Sequence, residues 1–200
     1  MADASLGSWD PFTVAEVEVL LAGTDVLWWL SGGQAIDAFL GGTTRVHGDI
    51  DVSVRRSDWL ALQQYLNGKL DVRSARSGAL SEITGGPLDD DIHGFWARDV
   101  KGGPWRVQFN LEPIDAGVWV YRRDARIRRP VDEVVWWRGT LPFVNPAVQL
   151  LWKAKAPRPQ DDQDLAALLP GLSHAERKWL TESIRLSCPT SPWAARLDDS

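Results

Sequence analysis

Cysteine and long hydrophobic runs are nearly missing from this 200-residue sequence. Cys188 is the only cysteine, so a disulfide framework and a thiolate metal cluster are both excluded. The longest apolar run, residues 26–30, is far shorter than the roughly 20 residues that span a bilayer. No basic segment followed by an apolar run opens the sequence, so we expect no signal peptide, a cytoplasmic location and no membrane partner.

An excess of positive charge is also lacking, because the formal net charge is −5. This balance argues against binding to a nucleic-acid backbone, so nucleic acid is not an expected partner. The apolar fraction of 44% and the charged fraction of 24% are ordinary for a globular protein of one domain. Twelve tryptophans are present, and burial of large aromatic side chains predicts that they serve packing more than ligand stacking.

The pattern of apolar residues predicts a mixed α/β core followed by helices. Thr13 and Glu16 form a capping-box signature that opens a first helix, and Ser173 and Glu176 form a second one near the C-terminus. Further strands are predicted at residues 26–30, 49–54, 94–100, 105–111 and 119–121, and further helices at residues 34–40, from Ser57, and beyond Pro146. We therefore divide the chain into an α/β core, residues 1–144, and a helical C-terminal part, residues 145–200.

A glycine turn joins the first predicted strand to the helix that follows it. Ser31, Gly32 and Gly33 form this turn. Glycines let the backbone approach a ligand, and a new helix presents unpaired N–H groups with a positive dipole end. The turn could therefore bind phosphate, although a tight strand-to-helix connection explains the same glycines.

Two aspartates lie close together on the next predicted strand. Asp49 and Asp51 are two residues apart, so a strand places both carboxylates on one face, with Ile50 and Val52 facing the core. Two such charges repel by about 2–3 kcal/mol at an effective dielectric near 20. A cation would relieve this repulsion, and oxygen ligands suit Mg²⁺. The alternative is an exposed edge strand with solvated acids.

The segment from Ser31 to Val52 resembles the signature of the nucleotidyltransferase superfamily, a Gly-Gly or Gly-Ser turn followed by an Asp-x-Asp strand. Its letters, SGGQAIDAFLGGTTRVHGDIDV, are similar to those of aminoglycoside 2″-adenylyltransferases and lincosamide nucleotidyltransferases. A weaker likeness continues through WVYRRDARIRRP and NPAVQLLWKAKAPRPQDDQDL to the final SPWAARL. The resemblance implies a nucleotidyltransferase-type mixed sheet flanked by helices, with a helical C-terminal part.

The same resemblance implies an activity and residue roles. Asp49 and Asp51 would bind Mg²⁺, and a hydroxyl of a small acceptor would attack the α-phosphorus of a nucleoside triphosphate, ATP in our expectation, with pyrophosphate leaving. The residues that would contact the nucleotide are Ser31, Gly32, Gly33, Arg45, His47 and Lys153. For Arg45 and His47, ordinary loop hydrogen bonds are an equal alternative, and Lys153 could instead be a snorkelling surface lysine.

The third carboxylate of the relatives is replaced here. Gln108 occupies the position that we align with it, and Gln108, Asn110 and Glu112 share one polar face of their predicted strand. We therefore propose Glu112 as the third carboxylate and catalytic base, provided that a bulge or strong twist brings it close. Ala147 and Gln160 also depart from the relatives' pattern, in which Glu and Lys are usual.

Three functions remain open from the sequence. The first is transfer of a nucleoside monophosphate, AMP in our expectation, to a hydroxylated molecule of the aminoglycoside or lincosamide kind. The second is a nucleotidyltransferase toxin that modifies tRNA or a protein. The third is a repurposed or inactive relative with another chemistry or a binding role, which Gln108 favours. Fold alone does not decide among them.

Overall fold

The computed structural model of this protein describes residues 6–76, 78–83 and 88–197. The chain divides into two compact units, Met1–Leu30 with Val46–Ile114, and Ser31–Arg45 with Asp115–Ser200. None of the helices in the described ranges is long and apolar enough to cross a membrane. The predicted boundary after residue 144 stays a prediction, and the two units are treated separately below.

The first unit combines six strands with two helices. Its elements are α1 (Val14–Leu21), β1 (Trp28–Ser31), β2 (Asp51–Arg55), α3 (Trp59–Leu66), β3 (Asp71–Arg76), β4 (Ala79–Glu82), β5 (Gly94–Arg98) and β6 (Val107–Glu112). The strands follow the spatial order β1-β2-β6-β5-β3-β4. β2 and β6 are parallel, whereas the β6–β5, β5–β3 and β3–β4 pairs are antiparallel.

One face of this sheet is apolar and carries the core of the first unit. Trp59 of α3 stacks on Phe95 of β5, with ring centroids 3.5 Å apart and planes 12° apart. Tyr65 of α3 donates a hydrogen bond to the Leu20 carbonyl of α1 at 2.9 Å, which ties the two helices together. β2 is buried at Val52, Ser53 and Val54, so side chains on both of its faces are covered.

The second unit contains the remaining helices and short strands. It holds α2 (Gly32–Leu40), β7 (Ile114–Asp115, at the change of unit), β8 (Val118–Val120), β9 (Arg128–Pro130), α4 (Val131–Val134), β10 (Val135–Arg138), β11 (Leu141–Val144), α5 (Pro146–Lys153), α6 (Pro159–Leu168), α7 (His174–Ser187) and α8 (Pro192–Arg196). β7, β8 and β9 form a small sheet, and β10 pairs with β11. α5 is central, because residues 146–151 are all buried and it packs against α2, α6 and α7.

Several predicted elements are present with shifted ends. Thr13 and Glu16 form the predicted capping box of α1, and Ser173 and Glu176 form that of α7. Ser57 does not cap α3, because residues 56–58 form a 3-10 turn before it. Strands β3, β4, β10 and β11 were not predicted, since their residues lack a clear apolar alternation. Trp29, Trp59, Trp105, Trp119 and Trp193 are fully buried, as the packing interpretation expects.

Candidate active site

The glycine turn begins a helix two residues earlier than the sequence predicts. β1 ends at Ser31, which is 1% exposed, and α2 starts at Gly32 instead of residue 34. Gly32 has φ +66°, a left-handed conformation that a residue with a Cβ rarely adopts. The turn therefore requires glycine at this position for a reason of backbone geometry.

The N–H of Gly32 binds a side chain that the sequence interpretation missed. Gln149 of α5 accepts this hydrogen bond through its Oε1 atom at 2.8 Å and is only 4% exposed. A polar residue within the apolar segment of residues 147–151 was the available signal, because buried amides need hydrogen-bond partners. The first amide of α2 is therefore already hydrogen-bonded within the protein.

The two aspartates lie at the start of β2. Asp51 is the first residue of the strand, whereas Asp49 is exposed and lies outside it, so the prediction of both residues on one strand is wrong. The ladder begins at Ile50, whose carbonyl accepts from the Gln108 N–H at 2.9 Å. Ile50 and Val52 are fully buried, as predicted.

Asp51 ends a chain of side-chain hydrogen bonds that crosses three strands. Asn110 Nδ2 donates to Asp51 Oδ1 at 2.9 Å, and Gln108 Nε2 donates to Asn110 Oδ1 at 2.8 Å. The chain starts at Trp96, whose Nε1 donates to Gln108 Oε1 at 2.8 Å. The predicted polar face of β6 is present, because Val107, Phe109 and Leu111 are buried on its other face.

Glu112 lies at the far end of the β2–β6 ladder. Asp51 is paired with Gln108, and the register continues without a bulge to the pair of Arg55 and Glu112. Four residues along a strand span about 13 Å, so Glu112 and Asp51 are too far apart at the backbone to share one ion. The bulge that the sequence hypothesis requires is absent from this ladder, and the catalytic role of Glu112 stays a prediction.

Lys153 belongs to a buried network of charges. Its Nζ lies 2.5 Å from Asp161 Oδ1 and 3.0 Å from Asp164 Oδ2, and all three side chains are at most 10% exposed. Burial alone would raise the pKa of Asp161, but hydrogen bonds from Arg158 and Lys153 outweigh it and lower that pKa below its ordinary value. The charge of Lys153 is thus balanced by two carboxylates, and its predicted role toward phosphate stays a prediction.

Arg45 and His47 lie in the loop that follows α2. Arg45 Nη2 is 3.5 Å from Asp164 Oδ2, so it adds a third cation to the network that contains Lys153 and Arg158. His47 is half-buried in the same loop. The loop is anchored at Thr44, whose N–H and hydroxyl both donate to Asp37 Oδ1. The predicted nucleotide-binding roles of Arg45 and His47 remain predictions.

The donor set at Asp49 and Asp51 is compatible with magnesium. Within the described residues, no cluster of three or more His, Cys, Asp or Glu side chains could hold a metal ion. Mg²⁺ does not need such a cluster, because it is commonly held by one or two carboxylates, by substrate phosphates and by water. The carboxylates of Asp49, which is exposed, and Asp51, which is half-buried, are hard oxygen donors of the kind that such a site uses.

Comparison with known sequences finds similarity to proteins named for aminoglycosides. Residues 13–76 match the family described as aminoglycoside-2″-adenylyltransferase. A 2″-aminoglycoside nucleotidyltransferase of Escherichia coli is 36% identical over 96 residues, which cover 45% of this chain and 53% of the relative. A protein of the same name from Klebsiella pneumoniae matches with the same figures. The chain therefore spans about half the length of the curated relatives that it matches.

Comparison with solved structures supports the same branch at the level of the fold. A lincosamide antibiotic adenylyltransferase, LnuA, bound to lincomycin, superimposes with a TM-score of 0.56 at 15% identity, over 80% of this chain and 98% of that one. ANT(2″)-Ia in complex with adenylyl-2″-tobramycin gives a TM-score of 0.54 at 14% identity, over 85% and 94%. Likeness at this identity establishes the fold alone.

Two expectations from the sequence are thereby confirmed. The chain resembles the aminoglycoside 2″-adenylyltransferase and lincosamide nucleotidyltransferase branch. It has a nucleotidyltransferase-type fold, in which a mixed sheet is flanked by helices.

Proposed function

We propose that this protein is a Mg²⁺-dependent nucleotidyltransferase that transfers AMP from ATP to a hydroxyl of a small aminoglycoside- or lincosamide-like acceptor. The observation that carries the proposal is the carboxylate pair at the start of β2. Asp51 is held there by the side chain of Asn110, and Asp49 precedes it by two residues. A cation would offset repulsion between the two carboxylates, and a nucleotide would bring phosphate oxygens to complete the ion's ligands.

The reaction makes one phosphorus–oxygen bond and breaks another. The acceptor oxygen bonds to the α-phosphorus, the bond from that phosphorus to the bridging oxygen breaks, and pyrophosphate leaves. The hydroxyl proton passes to a base or to water. Bound Mg²⁺ would neutralise phosphate charge and orient the displacement.

The chain's own residues supply binding and orientation. Asp49 and Asp51 would hold the ion through their carboxylate oxygens. The turn of Ser31, Gly32 and Gly33 would bind phosphate through backbone amides at the start of α2. In this structure the Gly32 N–H donates to Gln149 Oε1, so a phosphate would have to displace this amide oxygen to use that donor.

The acceptor class is proposed from the relatives. The matching curated proteins are named for aminoglycosides, and LnuA is bound to lincomycin. Aminoglycosides are polycations, and the net charge of −5 on this chain favours such a partner. A hydroxyl-bearing antibiotic of either class is therefore the first acceptor to test.

A repurposed relative is the second candidate. Two observations favour it, namely the amide Gln108 in place of a carboxylate and the neutralisation of Lys153 by Asp161 and Asp164. Such a protein would bind a nucleotide or metabolite without transferring a nucleoside monophosphate. Product formation, described at the end of the Discussion, separates the two candidates.

Binding is tested by thermal unfolding with Mg²⁺ and ATP. Ligand at about ten times its Kd stabilises the native state by about 1.4 kcal/mol, which raises the Tm of a chain of this size by roughly 3–6 °C. Asp49→Ala and Asp51→Ala should remove this shift. The exposed Asp25, in the same unit, gives the matched control Asp25→Ala, which should keep it. An unchanged Tm with each of the four triphosphates at millimolar concentration would contradict the proposal.

A further inference from the structure

We propose that Trp96, Gln108 and Asn110 are positioning residues that orient the carboxylate of Asp51 for metal binding. The inference rests on the proposed function, because it assumes that Asp51 is a ligand of the ion. Its basis is the continuous chain of three hydrogen bonds, each no longer than 2.9 Å, that ends on Asp51 Oδ1.

Sheet register brings the members of this chain together. Asp51 is directly opposite Gln108 on β6, and Gln108 is directly opposite Trp96 on β5. Asn110 lies two residues beyond Gln108 and is opposite Ser53, so its amide reaches diagonally to Asp51. All four side chains are half-buried, and partial exclusion of water strengthens hydrogen bonds that are arranged in series.

The hydrogen bonds all run in one direction, from Trp96 to Asp51, and this direction requires an amide at position 108. Gln108 accepts from the Trp96 indole through oxygen and donates to Asn110 through nitrogen. A carboxylate could accept from Trp96 but has no N–H for Asn110. It would also place a second negative charge directly opposite Asp51 in the ladder, which is destabilising without a cation. With Gln108 in place of the relatives' carboxylate, Asn110 can accept from Gln108 and donate to Asp51.

The Trp96 end of this series of hydrogen bonds is held in place by aromatic packing. The ring of Trp96 makes edge-on contacts with Trp9, at a centroid distance of 4.9 Å, and with Trp105, at 5.6 Å. Trp105 is 2% exposed, and its Nε1 donates to the Leu6 carbonyl at 2.6 Å. A fixed indole gives a fixed donor, so the orientation of Gln108, then Asn110, then Asp51 follows from it.

The consequence is a preformed ligand. Groups that hold a ligating carboxylate by hydrogen bonds set its rotamer and basicity, and their loss commonly weakens metal affinity by roughly 10–100-fold. Trp96, Gln108 and Asn110 act through Asp51, so their removal should raise the Mg²⁺ concentration needed for turnover, while turnover at saturating Mg²⁺ is largely kept.

The test measures binding of Mn²⁺, an ion that carboxylates bind in place of Mg²⁺, to the full chain by electron paramagnetic resonance. Gln108→Met removes both of its hydrogen bonds at similar volume, and Trp96→Phe removes only the first donor. Both should raise the Kd for Mn²⁺, by roughly 10–100-fold for Gln108→Met. The double variant should lose less Mn²⁺-binding free energy than the two single variants together, because both substitutions interrupt the same series of hydrogen bonds. Exposed residues supply the matched controls Gln64→Met and Trp137→Phe, which should leave the Kd unchanged.

Asp51→Asn separates failure of this inference from failure of the proposed function. If Asp51→Asn abolishes Mn²⁺ binding while Gln108→Met and Trp96→Phe stay within twofold of wild type, the positioning role is overturned and the metal site stands. If wild type and Asp51→Asn bind Mn²⁺ equally, or neither binds, the metal role of Asp51 fails and the positioning role fails with it. Near-ultraviolet circular dichroism checks folding, and Trp96→Phe carries the test if Gln108→Met does not fold.

Discussion

Burial determines the role of a charged side chain, and Lys153 is the clearest case. The sequence allows either a phosphate-directed lysine or a surface lysine with its ammonium group in water. The structure encloses the ammonium group between Asp161 and Asp164, at 2.5 and 3.0 Å, which rules out the surface alternative and leaves the phosphate-directed role a prediction. Both acids are on α6, three residues apart, so one turn of helix presents them together.

Removing this lysine should destabilise the protein strongly. Lys153→Met leaves two buried carboxylates with less compensation, and breaking a buried pair commonly costs about 3–5 kcal/mol of unfolding free energy. Chemical denaturation at neutral pH measures the loss. The neighbouring Lys155 is exposed, so its variant Lys155→Met should change stability by less than about 0.5 kcal/mol.

The loss should also depend on pH. In the wild type the pKa of Asp161 is lowered on folding, so its stabilising contribution is complete above the unfolded value near 4 and is lost as pH falls through the folded value. In Lys153→Met fewer hydrogen-bond donors oppose the effect of burial, which raises the pKa of Asp161. The stability difference from wild type should therefore be largest at neutral pH and shrink in acid. A difference that is constant from pH 7 to pH 3 would contradict this account.

Glu112 is tested by a single isosteric change. From its position opposite Arg55, four ladder residues beyond the Asp51 pair, we expect Glu112→Gln to lower turnover by less than about tenfold. A loss of roughly 10²–10⁴-fold with nucleotide binding kept would instead support the sequence hypothesis that Glu112 is the base. Steady-state rates at saturating Mg²⁺ and ATP make the measurement.

Among the elements, the β1–α2 turn has both an unusual backbone geometry and a proposed role in phosphate binding. Gly32 has a φ of +66°, and Gly41, at the other end of α2, has a φ of +79°. A Cβ at Gly41 would meet nothing within 4 Å, so only the backbone conformation is strained there. The two glycines are thus a matched pair for separating stability from binding.

Alanine at either glycine should lower stability by about 1–2 kcal/mol, the cost of a left-handed backbone for a residue with a Cβ. Only Gly32→Ala should also weaken ATP binding, by about tenfold or 1.4 kcal/mol, because only Gly32 lies at the proposed phosphate site. Calorimetric titration of Mg²⁺ and ATP provides the comparison. Equal ATP affinity in the two variants would remove the turn from the nucleotide site.

Which elements could be predicted depended on how much of their order is local. The capping boxes at Thr13 and Ser173 each depend on two side chains three residues apart in sequence, and both capping boxes are present. β2 could be predicted, but its first residue could not, because Asp49 is excluded by pairing with β6 and not by its own neighbours. β10 and β11 escaped detection because residues 135–137 and 141–144 are short apolar stretches without the alternation of polar and apolar residues that marks a strand.

The candidate site was likewise predictable only where it depends on local sequence. Asp51, Gln108 and Asn110 could be chosen from sequence, since each alternates with apolar residues along its strand. The hydrogen-bond chain that links them could not, because it depends on the register between three strands. Gln149 was missed for a similar reason, as its partner Gly32 is 117 residues away in sequence.

For the whole molecule, the recognised segment is short compared with the chain. The family match covers residues 13–76, and the curated relatives are matched over 45% of the chain. Residues 31–45 belong to one compact unit and residues 46–114 to the other, so the signature supplies residues to both units. A test of the whole chain in its reaction is therefore more decisive than a test of either part.

The most direct measurement is product analysis by mass spectrometry after incubation of the chain with Mg²⁺, ATP and a panel of aminoglycosides and lincosamides, with Asp51→Asn as the blank. The account predicts an acceptor that is heavier by one AMP group, with one pyrophosphate released for each product molecule, in the wild type alone. ATP that binds but is never transferred to any acceptor of either class would contradict the account and favour the repurposed relative.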